Sequence, residues 1–344
     1  MKKIKAMMLF GVASALVSTV QARDLTVISF GGAVKDAQNA AYVIPYINKT
    51  RDKVIFSEYN GELSKIRAMV DTRSVNWDVV EVEDTDAALG CDQGLFEQID
   101  YSKIGPKQDF IAGAAQPCGV GAHAWSTVLA YNADRLTSPP TSWADFWDVK
   151  KYPGKRALRR TARGSLEFAL MADGVAPSDV YSTLSTKQGV DRAFRKLDQI
   201  KPFIQWWDSG AQPAQFLVSG DVVMSSAYSG RISAARASGV NLANIWNQNL
   251  YQMDLWMIPK GTVNLEAAYS FIKFASLPQN QIVFVNHIAY GPTTKAAFAG
   301  LPPETLAILP SSEGNLKNAL KIDVDFWSDN GESLEQRFVS WASK

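Results

Sequence analysis

The sequence predicts an α/β protein of two lobes joined by crossover strands, and three observations predict it. From Asp24 onward short apolar runs alternate with helix-patterned segments, the mark of a mainly parallel sheet. The 344 residues suffice for two domains of ordinary size. Two long extended runs, near Trp125–Asn132 and Tyr251–Lys260, bracket the middle third, as in a chain that crosses to a second domain and later returns.

The elements follow in order. "LTVIS" precedes "AVKDAQNAAYVIPYINKT", "KVIFSEY" precedes "GELSKIRAMVDTR", and "WDVVEVE" precedes "TDAALGCDQGLFEQI", three strand–helix pairs. "HAWSTVLAYN" is the first long β-rich run. "SPPTSWADFWDVKKYPGKRALRR" opens the second domain, where "GSLEFALMADG", "GVDRAFRKLDQI" and "QPAQFLVSG" are helical and "FIQWWD" and "DVVMSSAY" are strands. "LYQMDLWMIPKG" is the return run. The helix "LEAAYSFIKFASLP", the loop "NHIAYGPTT" and a last helix "DNGESLEQRFVSWASK" complete the chain.

The N-terminus "MKKIKAMMLFGVASALVSTVQA" carries three lysines, an uncharged apolar run from Ala6 to Val20, and small residues before a cleavage point after Ala22. That is a secretory signal peptide; a membrane anchor would need about 20 apolar residues. Its removal takes away Lys2, Lys3 and Lys5, so the mature chain turns from +1 to slightly acidic. The charge gives no support for nucleic-acid binding. Export places Cys91 and Cys118 in an oxidising compartment, where a disulfide is expected and two buried thiols are the alternative. His123 and His287 are the two histidines, and neither HExxH nor CxxC occurs, so no metal is expected. A G-x-S-x-G elbow and a P-loop are absent. An exported hydrolase is a remote alternative, and no cofactor is expected.

Some residues stand out chemically. Glu83 ends the strand "WDVVEVE" and is a cleft candidate for a cation; Asp84 beside it is a second, although Asp84 and Asp86 could equally cap the next helix. Trp125, Trp206, Trp207, Tyr228, Tyr251, Trp256 and Tyr290 lie near strand ends or crossovers. Tyr228 in "SSAYSGR" and Tyr290 in "IAYGPTT" precede small residues typical of ligand loops, while any of these rings could simply pack the core. Asp254 is an acid amid apolar residues and wants a cation or good donors. Arg156, Arg159, Arg160 and Arg163 form either a solvated rim or, at Arg163, a carboxylate anchor. Gly31-Gly32 after the first strand does not complete G-x-G-x-x-G, so a nucleotide loop is not expected; a glycine turn that lets backbone approach a ligand is.

Together "VISFGGA", "EYNGELSKIRAMV", "WDVVEVE", "TSWADFWDVKKYPGKRALRR", "VVMSSAYSGRI", "MDLWMIPKGT" and "AYGPTTKAA", in this order and spacing, resemble the type II periplasmic solute-binding proteins of ABC importers. The spermidine/putrescine branch is the one most resembled. The resemblance implies the two-lobed periplasmic binding protein type II fold with crossover hinge strands, closing by hinge bending. Residues 23–126 would be the first part of lobe 1, 127–257 lobe 2, and 258–344 the return to lobe 1 with C-terminal helices. It implies a monomeric periplasmic receptor, an inner-membrane ABC permease as partner and an amine-bearing ligand, with polyamine as default. Phe30, Gly31 and Gly32 would line the cleft, Glu83 and Asp254 pair the ammonium, and Trp125, Tyr228 and Tyr290 box it. Two departures point elsewhere: Arg160, Thr161, Arg163 and Gly164 stand where polyamine binders place acids, and Gln252 replaces an expected Trp. They favour a ligand with an amine at one end and a carboxylate at the other, anchored by Arg163.

Overall fold

The computed structural model describes residues 23–136 and 138–344, so the leader expected over residues 1–22, with its cleavage point at Ala22, lies outside the described residues. Nine strands form one mixed sheet: β1 (Leu25–Phe30), β2 (Val54–Tyr59), β3 (Val79–Glu83), β4 (Gly119–Asn132), β5 (Arg156–Arg159), β6 (Ile204–Trp207), β7 (Met224–Tyr228), β8 (Leu242–Met257) and β9 (Leu320–Lys321). The spatial order is β2-β1-β3-β8-β4-β7-β5-β6, with β9 on the side of β8. The flanks are parallel, β1 with β2 and β3, and β5 with β6 and β7. The centre is antiparallel: β4 and β8 pair from Gly119↔Met257 to Asn132↔Leu242.

These two central strands are the crossovers, and their length explains the two lobes. β4 has 14 residues, all buried, far more than one lobe's sheet needs. Along it Val120, Ala122, Ala124 and Trp125 pack into one core, and Leu129 and Tyr131 into another. β8 divides likewise: Leu250 joins the second core and Tyr251 to Met257 the first. Register shifts in the β4–β8 ladder fall between Gly121 and His123 and between Thr127 and Leu129, on either side of the change of core.

β1 "LTVISF" and β3 "VVEVE" are buried on both faces, as strands sandwiched between helices must be. This leaves Glu81 and Glu83 as buried acids. The last helix begins five residues earlier than its sequence pattern suggests, at Val324, because Asp323 caps it by accepting from the Phe326 N–H. A further helix, Pro278–His287, takes up the start of the segment read as a loop. The disulfide between Cys91 and Cys118 is present.

A break in the helix Ala162–Ala172 matters most for the site. Gly164 adopts φ 87° and Arg163 is extended at ψ 126°. Glu167 accepts from the Gly164 N–H, Glu335 from the Ala162 N–H, and only glycine enters the left-handed region freely. The kink turns Arg163 towards the other lobe.

A charged and aromatic cavity between the lobes

Strands β1, β2, β3, β5, β6 and β7 all end at one cavity of about 490 Å³. The first lobe contributes Phe30, Gly31 and Gly32 after β1, Glu58 to Asn60 around the end of β2, Glu83 from β3, His123 and Trp125 from β4, Asp254 from β8, and Tyr290. The second contributes Arg159 from β5, Asp208 to Ala211 after β6, Tyr228 from β7, and Arg231 from the helix Ser229–Ala237. A ligand crevice at the carboxyl ends of strands is the general outcome of open α/β sheets.

Glu83 is not a free acceptor. Arg163 Nη2 donates to Glu83 Oε2 at 2.6 Å and Arg159 Nη1 lies 3.5 Å from Oε1. Burial works to raise the Glu83 pKa, but the two guanidinium charges outweigh it and hold the carboxyl below its ordinary value. Arg163 also stands 3.7 Å from Asp86. It is therefore spent on the first lobe's acids and forms an ion pair across the hinge, not a wall of the cavity.

Arg231 is different. Its Nη2 donates to the Gly31 carbonyl at 2.9 Å, reaching from the second lobe to the first, and its Nε is buried without a partner. Gly32, at φ 70° and ψ −145°, makes room for it: a Cβ there would lie 2.7 Å from Arg231 Nη1. A buried unpaired donor on a guanidinium costs free energy until an acceptor arrives.

On the first lobe Asp254 Oδ1 accepts from Trp125 Nε1 at 2.7 Å. Asp254 Oδ2 lies 3.4 Å from His123 Nε2, and His123 Nδ1 lies 3.0 Å from Glu81 Oε1. Gln38 Nε2 and the Ser29 hydroxyl also donate to Glu81. Burial pushes Asp254 well above the usual carboxylate range, with the Glu81 and Glu83 charges adding. For Glu81 burial is overcome by the facing imidazole and the Ser29 and Gln38 donors, so it stays below its ordinary value. Ligating atoms of Glu81, His123 and Asp254 fall within 4.8 Å of one another. The carboxylates address opposite ring nitrogens, however, so the trio lies in a line and does not form a cage for one ion.

The rings complete the walls. The Tyr290 ring stacks on His123 with centroids 4.8 Å apart and planes 2° from parallel. Trp125 and Tyr228 meet edge to face at 4.9 Å. Burial pushes the Tyr228 hydroxyl up to about 12, so it remains a neutral donor.

Of the residues singled out in the sequence, the cavity brings together Phe30, Gly31, Gly32, Glu83, Trp125, Tyr228, Asp254 and Tyr290. Asp84 and Arg163 are not among its walls. Asp84 is buried behind Glu83, its Oδ1 accepting from the Thr85 N–H at 2.9 Å, and Arg163 is turned by the Gly164 kink. Trp256 and Tyr251 pack in the first core, and Trp206 packs on Phe338 and Trp341. Sequence reasoning passed over Arg231, took Arg159 only as part of a basic cluster, and weighed His123 only as a metal ligand. Arg231 had a signal: it stands three residues after Tyr228 in "YSGR", in the first turn of a helix that starts at the cleft.

Comparison with known proteins decides the family. Residues 48–308 match the family described as bacterial extracellular solute-binding protein. The chain belongs to this family. It is 51% identical over 336 residues to the gamma-aminobutyric acid-binding protein of Pseudomonas aeruginosa, spanning 98% of this chain and 96% of that one. The solved structure of the GABA receptor Atu4243 matches with a TM-score of 0.84 and 33% identity, over 94% of this chain and 98% of that one. The spermidine/putrescine-binding periplasmic protein of Salmonella typhimurium is more distant, 24% identical over 277 residues and 75% of each chain. This solute-binding protein is thus a component of an ABC importer, periplasmic by family and not an enzyme, with the two-lobed fold of the periplasmic binding proteins. The expected kinship with the polyamine branch holds only at a distance.

Proposed function

We propose that this solute-binding protein captures a small zwitterionic ω-amino acid, with γ-aminobutyrate (GABA) the first candidate, and delivers it to an inner-membrane ABC permease. The observation that carries the reading is the pairing of Asp254 on one lobe with the unpartnered Arg231 Nε on the other. An ammonium would sit against Asp254 inside the ring wall of Trp125, Tyr228 and Tyr290, where cation–π attraction adds about 0.5–2 kcal/mol. A carboxylate would accept from Arg231. Closure of the lobes then joins the two ends of one short molecule. GABA-binding relatives support this choice. The polyamine default gives way because the other cleft acid, Glu83, is already neutralised by Arg159 and Arg163. A second ammonium would face arginines. The carboxylate anchor in this reading is Arg231 in place of Arg163. The mature chain, cut after Ala22, acts as a monomer.

Ligands that lack one end test it. Titration calorimetry should give GABA at least about 100-fold tighter binding than butylamine or butyrate, since each loses one charge-assisted contact. Arg231→Gln should bring GABA down to the level of butylamine. Butylamine binding as tightly as GABA would rule the reading out.

A further inference from the structure

Glu167, in the helix Ala162–Ala172, is a fully buried acid that the cleft does not use. Three donors converge on it. Its Oε2 accepts from the Gly164 N–H at 2.8 Å, and its Oε1 accepts from Trp327 Nε1 at 2.8 Å and from the Tyr181 hydroxyl at 3.0 Å. The first of these is half of a capping box: the regular helix starts after Gly164, and an acid at its third position reaches back to the N–H ahead of it. The turn is tied at two further points. Glu335 Oε2 accepts from the Ala162 N–H at 2.8 Å, and the Thr161 hydroxyl donates to the Arg163 carbonyl at 2.8 Å. Trp327 and Glu335 both stand on the last helix, Val324–Ala342, whose Phe326, Trp327, Leu334 and Phe338 lie in the second core. The last helix therefore packs on the second lobe and grips the kink.

We propose that Glu167 is a positioning residue for lobe closure: together with the last helix it locks the turn that carries Arg163 across the hinge to Glu83. Arg163 reaches Glu83 Oε2 at 2.6 Å from an extended backbone, ψ 126°, beside a left-handed Gly164 at φ 87°. Neither conformation belongs in a helix, so the turn persists only where its surroundings fix it. Glu167 does this by giving the buried Gly164 N–H an acceptor outside the helix ladder; without it that donor would be left unsatisfied. An acid serves here where an amide would not. All three neighbours are donors, and a carboxylate is acceptor-only. Among the described residues Glu167 makes no hydrogen bond or ion pair to Glu83 or to the Arg163 guanidinium, so its influence on that pair passes through the backbone of the turn. A looser turn weakens the ion pair that joins the lobes, and the closed form opens sooner.

This role concerns closure and holds whichever solute fills the cleft. A double-mutant cycle across the hinge tests it, with Glu167→Gln, Glu83→Gln and the two combined compared by stopped-flow release of GABA. Glu167→Gln sets an amide NH₂ against one of the three donors and should speed release about tenfold. With Glu83→Gln already in place Arg163 has lost its partner, and Glu167→Gln should then speed release by less than about twofold. The same factor in both backgrounds is the result for a merely structural Glu167 and overturns the proposal, as does an unchanged release rate in the single variant. Where Glu167→Gln fails to fold, Tyr181→Phe takes its place in the cycle. It removes only the hydroxyl donor to Glu167 and should speed release about threefold, again not when Glu83→Gln is present. A wild-type chain that binds no GABA overturns the ligand reading alone. The cycle is then read on unfolding in urea, where coupled losses support the positioning role and additive losses overturn it.

Discussion

Replacing Asp84 by Asn is expected to stabilise the protein, and by more at pH 8 than at pH 5. Asp84 is only 5% exposed. Burial raises its pKa, the Arg163 charge opposes this, and the Glu83 charge reinforces it, so the carboxyl is pushed from its ordinary 3.8 up to about 7. The folded state then holds a proton that the unfolded chain releases above pH 3.8. The group favours folding fully only below that value, and the advantage is lost as pH rises through about 7. Relative to a neutral isostere, the acid costs about 4 kcal/mol at pH 8, where it is ionised inside the fold, and about 1.7 kcal/mol at pH 5. Asn keeps an oxygen for the backbone N–H donors of Thr85 and Met253. Urea unfolding at the two pH values measures both gains. Equal gains at pH 5 and 8, or none at pH 8, would refute the assignment of Asp84 as a buried, uncompensated acid.

Other consequences follow from the same structure. Arg163→Gln removes the 2.6 Å ion pair to Glu83 across the hinge, which disfavours closure without touching the ligand. GABA affinity should fall about 10- to 100-fold, mostly through a faster off-rate, and Glu83→Gln added to it should cost little more. Stopped-flow release kinetics on the single and double variants check this. Gly32→Ala forces a side chain into φ 70°, ψ −145° and against Arg231, so calorimetry should show weakened GABA binding together with a loss of about 1–3 kcal/mol of stability from strain. Reducing the Cys91–Cys118 bridge, 27 residues apart, should cost about 3–4 kcal/mol in denaturant unfolding.

The sequence carried the fold well because its signals are local. Alternating apolar runs gave the strands, and two overlong extended runs near Trp125 and Tyr251 marked the crossovers. It carried the aromatic wall and Asp254 too, since strand ends point at the cleft. What it could not carry depends on which charges meet. Glu83 and Arg163 each looked like a ligand residue, and only the fold shows that they are each other's partner. Arg159 and Arg163 are equally basic in the sequence, yet the Gly164 kink aims one across the hinge and leaves the other on the cavity wall. The grouping of Glu81, His123 and Asp254 was illegible because the three are far apart in the chain. A β3–β8–β4 ladder brings them side by side.

The most direct measurement is a calorimetric titration of the mature chain with GABA and with putrescine under one set of conditions. They share a four-carbon amine and differ in the group at the far end, a carboxylate against a second ammonium. One tight site for GABA and at least about 100-fold weaker binding of putrescine is the predicted result. Putrescine binding as tightly as GABA would contradict a site built between Asp254 and Arg231.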